Sequence, residues 1–147
     1  MDAAELTTFG AVLRFSLNLE SDASSFFDRL ANGPLGGEFP KLARELAAGH
    51  RRRTALLEQV RSRVNEMTLE PIRGLRSPDE GLGRAVGGSA TPAAAADLEE
   101  AIARFYTEVA SAGRAILGEA TRTFQRFAAE SGRNAVRLRT AQSPGFP

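Results

Sequence analysis

Two glutamates stand at the start of apolar helical segments, where an ionised carboxylate is costly. Glu20 opens the segment 20–27 and Glu99 opens the segment 99–106, and each lies on or beside the apolar stripe of its helix. A buried carboxylate needs a proton, a hydrogen-bond donor or a cation beside it. The sequence therefore predicts two polar positions inside an otherwise apolar core, each with a compensating partner.

The side chains that can compensate these carboxylates are few. His50, the only histidine, is either a ligand or general base, a member of a polar core cluster, or an exposed side chain. Arg53 falls on the inner stripe of its helix and can pair with an inward glutamate. The remaining candidate partners are hydroxyl and amide groups, namely Ser16, Tyr106, Ser131 and Asn134. If no metal lies between the two glutamates, replacing both with Gln is expected to leave stability unchanged or to raise it, because buried charge is often a net cost.

Composition removes several classes of function. The chain of 147 residues has the size of one domain, and it has no cysteine, which excludes thiolate nucleophiles and Cys-ligated metal sites. The net charge of +1 and the absence of a long apolar run predict no nucleic-acid partner and no membrane partner. The acidic start lacks the features of a signal peptide, so we expect a cytoplasmic protein. No nucleophile–base pair and no phosphate-binding loop is evident, and we assign no catalytic residue.

Four helices account for most of the chain. A capping pair at Asp2 and Glu5 predicts the first helix, which the break at 32–37 ends. The second helix starts near 38–40 and ends at Pro71. Thr91-Pro92 is typical of a helix start, and the helical signal then continues to about Thr140. A single helix of that length would be about 70 Å long, so we expect a turn near 111–113 or 117–118.

These elements predict an all-α, single-domain four-helix bundle built from two helical hairpins. The first hairpin covers 1–71, a crossover loop covers 72–92, the second hairpin covers 93–140, and 141–147 is a flexible tail. The segment 25–31 resembles 104–110 and 39–45 resembles 124–130, which indicates a duplication. A loop of roughly 20 residues reaches up to about 66 Å, enough to run along a bundle, so we expect the second and third helices to be parallel.

The spacing of these residues resembles the rubrerythrin-like branch of the ferritin-like superfamily over most of 6–140. The resemblance rests on Glu20-x-x-Ala23-x-x-Phe26-Phe27, on Phe39-x-x-Leu42-Ala43, on His50, and on the second copy of the pattern, Glu99-x-x-Ile102-x-x-Phe105-Tyr106 with Phe124-x-x-Phe127-Ala128. In that family two helices each give one Glu and the other two each give Glu-x-x-His, which together hold two metal ions. Glu20 and Glu99 match the lone-Glu positions.

The Glu-x-x-His positions depart from the family's pattern. They hold Leu46, Gly49, Ser131 and Asn134, and alignment on His50 places Ala47 at the first Glu position. Glu45 and Glu130 are near in sequence, but a helix turns them away from that face. What the resemblance implies is at most a reduced metal site of Glu20, Glu99 and His50, and we predict no stoichiometric di-iron or di-manganese centre.

Three functional hypotheses follow from this pattern. The first is a non-catalytic member of the ferritin-like class that binds no cofactor and acts as an interaction scaffold, with a protein partner or with itself as a homodimer. The alternative is a rubrerythrin-like oxidative-stress protein that binds iron or manganese through Glu20, Glu99 and His50. A third is small-molecule binding in a core cavity left by the missing ligands.

Overall fold

The structure is a computed structural model that describes residues 9–64, 90–113 and 118–142. These residues form four helices, α1 (Phe9–Ala31), α2 (Phe39–Val64), α3 (Pro92–Gly113) and α4 (Gly118–Gln142). The described part of the chain contains no strand, so the prediction of an all-α four-helix bundle is confirmed. None of these helices is both long and apolar enough to cross a bilayer.

The helix boundaries follow from local sequence signals. The amide of Asn32 bonds to the carbonyl of Asp28 at 3.0 Å in the last turn of α1, and the chain then leaves the helix before Pro34. Gly37 has φ of 70°, a backbone conformation that a residue with a Cβ rarely adopts. At the start of α3 the Thr91 hydroxyl accepts a bond from the amide of Ala94 at 3.1 Å, which confirms the predicted cap.

Helices α1 and α2 form one hairpin, and α3 and α4 form the other. Between the hairpins, α1 packs beside α3, and α2 packs beside α4. Helix α4 is antiparallel to α2, because Arg137 pairs with Glu45 while Arg53, further along α2, meets Ser131. It is also antiparallel to α3, since Arg139 bonds to Asp97 whereas Phe127 packs on Tyr106. Helices α2 and α3 therefore point in the same direction.

Several expectations concern residues that the structure does not describe. The capping pair at Asp2 and Glu5, the helix end at Pro71 and most of the crossover loop 72–92 lie outside the described residues. The turn in the second hairpin was predicted near 111–113 or 117–118; residues 111–113 are helical and end α3, Gly118 is the first residue of α4, and 114–117 lie outside the described residues. Helix α4 continues to Gln142, slightly beyond the predicted Thr140.

The interior of the bundle is largely aromatic and aliphatic. The ring of Tyr106 stacks on Phe124, with centroids 5.6 Å apart, and meets the ring of Phe127 at a steep angle of 67°. Burying each such ring contributes roughly 1.5–3 kcal/mol relative to an exposed side chain. These side chains surround a group of buried polar residues that the next section describes.

Candidate functional site

A cluster of four buried charged side chains occupies the middle of the bundle. Glu20 on α1, His50 and Arg53 on α2, and Glu99 on α3 are at most 2% exposed. Residues three apart on a helix lie on one face, so His50 and Arg53 both point inward from α2. The structure therefore places all three residues of the predicted reduced site, together with Arg53, in one layer.

The imidazole of His50 lies between the two carboxylates. Its Nδ1 contacts Oε1 of Glu20, and its Nε2 lies 2.8 Å from Oε2 of Glu99. A neutral imidazole has only one N–H, whereas an ionised carboxylate only accepts hydrogen bonds. Both contacts are satisfied at once when His50 is a doubly protonated imidazolium that donates to each glutamate. The ring also stacks on Phe27, with centroids 5.5 Å apart and planes 8° from parallel, which holds it in this orientation.

The guanidinium of Arg53 supplies the second positive charge. Its Nη1 donates to Oε2 of Glu20 at 3.3 Å and to Oγ of Ser131 at 2.8 Å, and its Nε donates to Oε1 of Glu130 at 2.9 Å. Nη2 lies 2.8 Å from the same Glu130 oxygen but without hydrogen-bond geometry. The guanidinium also lies over the ring of Phe127 at 5.2 Å, a cation–π contact.

The position of Glu130 corrects one prediction. We expected a helix to turn this glutamate away from the polar face, and its side chain is indeed 38% exposed. Its carboxylate nevertheless reaches Arg53, because the long arginine side chain extends from the core to the rim of the bundle. Glu45, by contrast, is exposed and pairs with Arg137 on the surface, as the helical spacing predicted.

Neutral donors complete the cluster. The Tyr106 hydroxyl donates to Oε2 of Glu20 at 2.6 Å, and Nδ2 of Asn134 donates to Oε2 of Glu99 at 3.1 Å. The expectation that Ser16 bonds to one of the glutamates is wrong, since its hydroxyl donates to the carbonyl of Val12 one turn earlier. Oε1 of Glu99 is buried and has no hydrogen-bond partner among the residues that the structure describes.

Burial and charge act in opposite directions on the ionisable groups. Burial raises the pKa of Glu20, but His50, Arg53 and Tyr106 together outweigh it and hold that pKa below its ordinary value. Burial lowers the pKa of His50, but Glu99 and Glu20 outweigh it and raise that pKa to about 9. Burial and then the Glu20 charge raise the pKa of Tyr106 well above its usual range. At neutral pH His50 is therefore an imidazolium beside the ionised carboxylate of Glu20 and the guanidinium of Arg53.

These side chains do not fit the di-metal centre of the family that the sequence resembles. Both ring nitrogens of His50 already face a carboxylate, and Arg53 lies 3.3 Å from Glu20, where it would repel a metal cation. In residues 9–64, 90–113 and 118–142, no three His, Cys, Asp or Glu side chains are arranged to hold a metal ion. At the second pair of Glu-x-x-His positions, Ser131 accepts a hydrogen bond from Arg53, and Asn134 donates one to Glu99.

Most members of this cluster were predicted from the sequence. Glu20, His50, Arg53 and Glu99 converge, as do three of the candidate neutral partners: Tyr106, Ser131 and Asn134. Two contributions were missed, the bond from Arg53 to Glu130 and the stacking of Phe27 on His50. A signal for the first exists, because Arg is the residue whose length allows a buried guanidinium to reach a carboxylate at the surface.

The chain was compared with protein-family models, with curated proteins and with solved structures, and none of the three comparisons found a match.

Proposed function

We propose that this protein is a non-catalytic, ferritin-like helical bundle that acts as an interaction scaffold, with His50 and Arg53 in the place of two metal ions. The observation that supports the proposal is the pairing of both buried glutamates with cations of the chain itself. In a di-metal protein the charge of the inward carboxylates is compensated by bound metal. Here that charge is compensated without any cofactor.

The cluster has a structural role in this proposal. Its bonds join the two hairpins at three places, through Glu99 and His50, through Tyr106 and Glu20, and through Arg53 with the pair Glu130 and Ser131. An apolar layer tolerates a helix that slides or rotates, whereas hydrogen bonds between buried charges require one alignment. The polar layer would therefore specify the register of the two hairpins and keep the outer surfaces in fixed positions for a partner.

Metal analysis tests the proposal most directly. Protein purified without chelator, and then reconstituted anaerobically with Fe²⁺ or Mn²⁺, is expected to carry no stoichiometric metal. Its melting temperature should not rise when Fe²⁺, Mn²⁺ or Zn²⁺ is added, because a ligand stabilises a protein only by binding the folded state. Two equivalents of tightly bound iron per chain would contradict the proposal.

One observation favours the alternative, a reduced metal site in an oxidative-stress protein. The unpaired Oε1 of Glu99 is a buried acceptor without a donor among the described residues, which is a costly arrangement for a carboxylate. A metal-dependent rise in melting temperature that disappears in the E20Q/E99Q variant would support this alternative and the assignment of Glu20, Glu99 and His50 as ligands.

The partner in this proposal is another protein or a second copy of the chain, and the compartment is the cytoplasm. The core cluster is closed to solvent, so a partner can bind only to the outer surface of the bundle. Size-exclusion chromatography with light scattering distinguishes the two partners, since a homodimer has twice the mass of the chain.

A further inference from the structure

The solvent-facing sides of α2 and α4 carry a concentration of unpaired positive charge. Six exposed basic side chains of α2 and α4 make no ion pair with any described residue, and all of them except Arg44 lie on this surface: Lys41 and Arg52 on α2, and Arg122, Arg126 and Arg133 on α4. Spacings of four and seven residues place the three arginines on one stripe of α4, and a spacing of eleven does the same for the two α2 residues. We call this surface the basic tract.

Two described carboxylates next to the basic tract are already engaged, whereas Glu38 lies with Lys41 at the cleft. Glu45 pairs with Arg137 and Glu130 pairs with Arg53, so neither neutralises the tract. The opposite side of the bundle is different, because α1 and α3 expose acidic and basic side chains together, such as Arg14 and Arg104 with Asp22 and Glu108. The net charge of +1 for the whole chain therefore conceals a strongly positive face.

A cleft lined by both apolar and charged side chains lies at one end of the basic tract. It has a volume of about 470 Å³ and lies between the start of α2 and the end of α4, with Leu42, Val136 and Ala141 among its lining residues. Val136 is 65% exposed, and it is the one large hydrophobic side chain exposed to this degree among the residues described. The charges at the rim of the cleft balance, since Lys41 and Arg137 face Glu38 and Glu45.

We propose that the cleft and the basic tract together bind an acidic, amphipathic α-helix of another protein. The inference rests on the proposed scaffold function and names the class of partner. Arg122 and Arg137 are fifteen residues apart, which corresponds to about 22 Å along α4 and to a partner helix of about 15 residues. Apolar side chains at one end of that helix fill the cleft beside Val136, and Asp or Glu on the same side face Arg133, Arg126 and Arg52.

The combination of features favours this occupant over others. A phosphate backbone would use the arginines but leave the apolar side chains of the cleft, Leu42 and Val136, without a role. A bilayer surface needs several inserted apolar side chains, and the described surface offers one exposed large aliphatic residue. A second copy bound face to face through this surface would place one basic tract against another.

The test uses a synthetic peptide as the probe. A fluorescein-labelled, 15-residue helical peptide with Leu on two successive turns at one end and Glu along the same side is titrated with the full chain, and binding is read by fluorescence anisotropy. We expect saturable binding that weakens as the salt concentration rises. The variant R126E/R133E should weaken it at least tenfold, and V136D should weaken it about tenfold, because one removes the charge pairs and the other the apolar anchor.

Controls separate this site from unspecific attraction. R14E/R104E changes the charge of the opposite side by the same amount and should alter the peptide affinity less than about twofold. A scrambled peptide of the same composition, a random 24-base-pair duplex and anionic vesicles are titrated in parallel. The proposal is overturned if the scrambled peptide or the duplex binds as tightly as the probe, if the vesicles do so, or if V136D leaves binding unchanged.

Two further outcomes are informative. If the free protein is a dimer that V136D converts to a monomer, a second copy occupies the cleft and the proposal of a foreign acidic helix is wrong. Failure of the scaffold proposal itself is detected separately, since metal uptake by the core changes the melting temperature and the metal content without involving the peptide. The melting temperature of each variant also shows whether it folds.

Discussion

Nε2 of His50 lies 2.8 Å from Oε2 of Glu99, and this bond connects the first helical hairpin to the second inside the core. The other nitrogen of the same ring contacts Glu20 on α1, so one side chain joins three helices. Because the ring is at most 1% exposed, water cannot replace either partner. The protonation of His50 is thus tied to the packing of the whole bundle.

His50 should titrate far above the usual range of a histidine. Since it is the only histidine in the chain, the NMR signals of its two ring C–H protons are assigned to it directly. We expect a pKa of about 9 in the folded protein, raised by the charges of Glu99 and Glu20 against the opposing effect of burial. The variant E99Q should lower this pKa. A titration near 6.5 in the folded wild type would show that the ring is not held between two carboxylates.

The pH dependence of stability follows from the same groups. The folded pKa of His50 is raised to about 9 from 6.5, so its contribution is fully present below pH 6.5 and is lost as the pH rises through 9. Integrated over that range, the contribution is on the order of 3 kcal/mol at most. The pKa of Glu20 is lowered from 4.5, so its contribution is present above pH 4.5 and is lost as the pH falls through the folded value.

Urea unfolding between pH 4 and pH 10 measures this profile. The free energy of unfolding should be greatest between the two limits and should fall on the alkaline side. The variant H50Q is the control, because its alkaline decrease should be much smaller. An unchanged alkaline decrease in H50Q would assign the effect to groups other than His50.

The double variant E20Q/E99Q should be clearly less stable than the parent. The sequence alone predicted no loss of stability, because buried charge is often a net cost even where a partner compensates it. The structure places His50 and Arg53 against them, and removing one side of a buried ion pair typically costs about 3–5 kcal/mol. His50 can lose its proton in response, whereas Arg53 keeps its charge and retains only Glu130 at the rim. Chemical denaturation of both proteins at pH 7 measures the difference, and equal stability would show that the cluster is energetically neutral.

A double-mutant cycle on Arg53 and Glu20 isolates their interaction. R53M should lower the free energy of unfolding by about 3–5 kcal/mol, because it removes the cation that faces a buried carboxylate. In R53M/E20Q the remaining charge is removed too, so the loss should be smaller than the sum of the two single losses by about 0.5–3 kcal/mol. R52M is the matched control for the loss of an arginine on α2, since Arg52 is exposed and makes no ion pair with a described residue. Strictly additive losses would mean that the two groups do not interact.

Y106F tests the neutral donors of the cluster. The Tyr106 hydroxyl is 2.6 Å from Glu20 and buried, so its removal leaves the carboxylate with one donor fewer and without access to water. We expect a loss of about 1–3 kcal/mol in the free energy of unfolding. The control T107V changes an exposed hydroxyl on the same helix and should lower the free energy of unfolding much less. If Y106F leaves the free energy of unfolding unchanged, the other donors of Glu20 are sufficient.

Local signals in the sequence determined the secondary structure of this protein. Thr91 and Pro92 start a helix because one supplies a side-chain cap and the other needs no amide partner, and both effects involve only neighbouring residues. The same holds for the break after Ala31. Helical spacing also determined that Glu20, Glu99 and Arg53 point inward, since the period of 3.6 residues depends on the backbone alone.

Only the tertiary structure decided how these residues are paired. Oε2 of Glu99 bonds to a ring on another helix, and such a distance depends on how two helices are placed against each other, which no local pattern specifies. Ser16 is an example, because its hydroxyl was a candidate partner of the glutamates, yet it donates to the carbonyl of Val12 in its own helix. The basic tract is a further case. Arg52 and Arg133 are far apart in sequence, and they belong to one surface because α2 and α4 pack side by side.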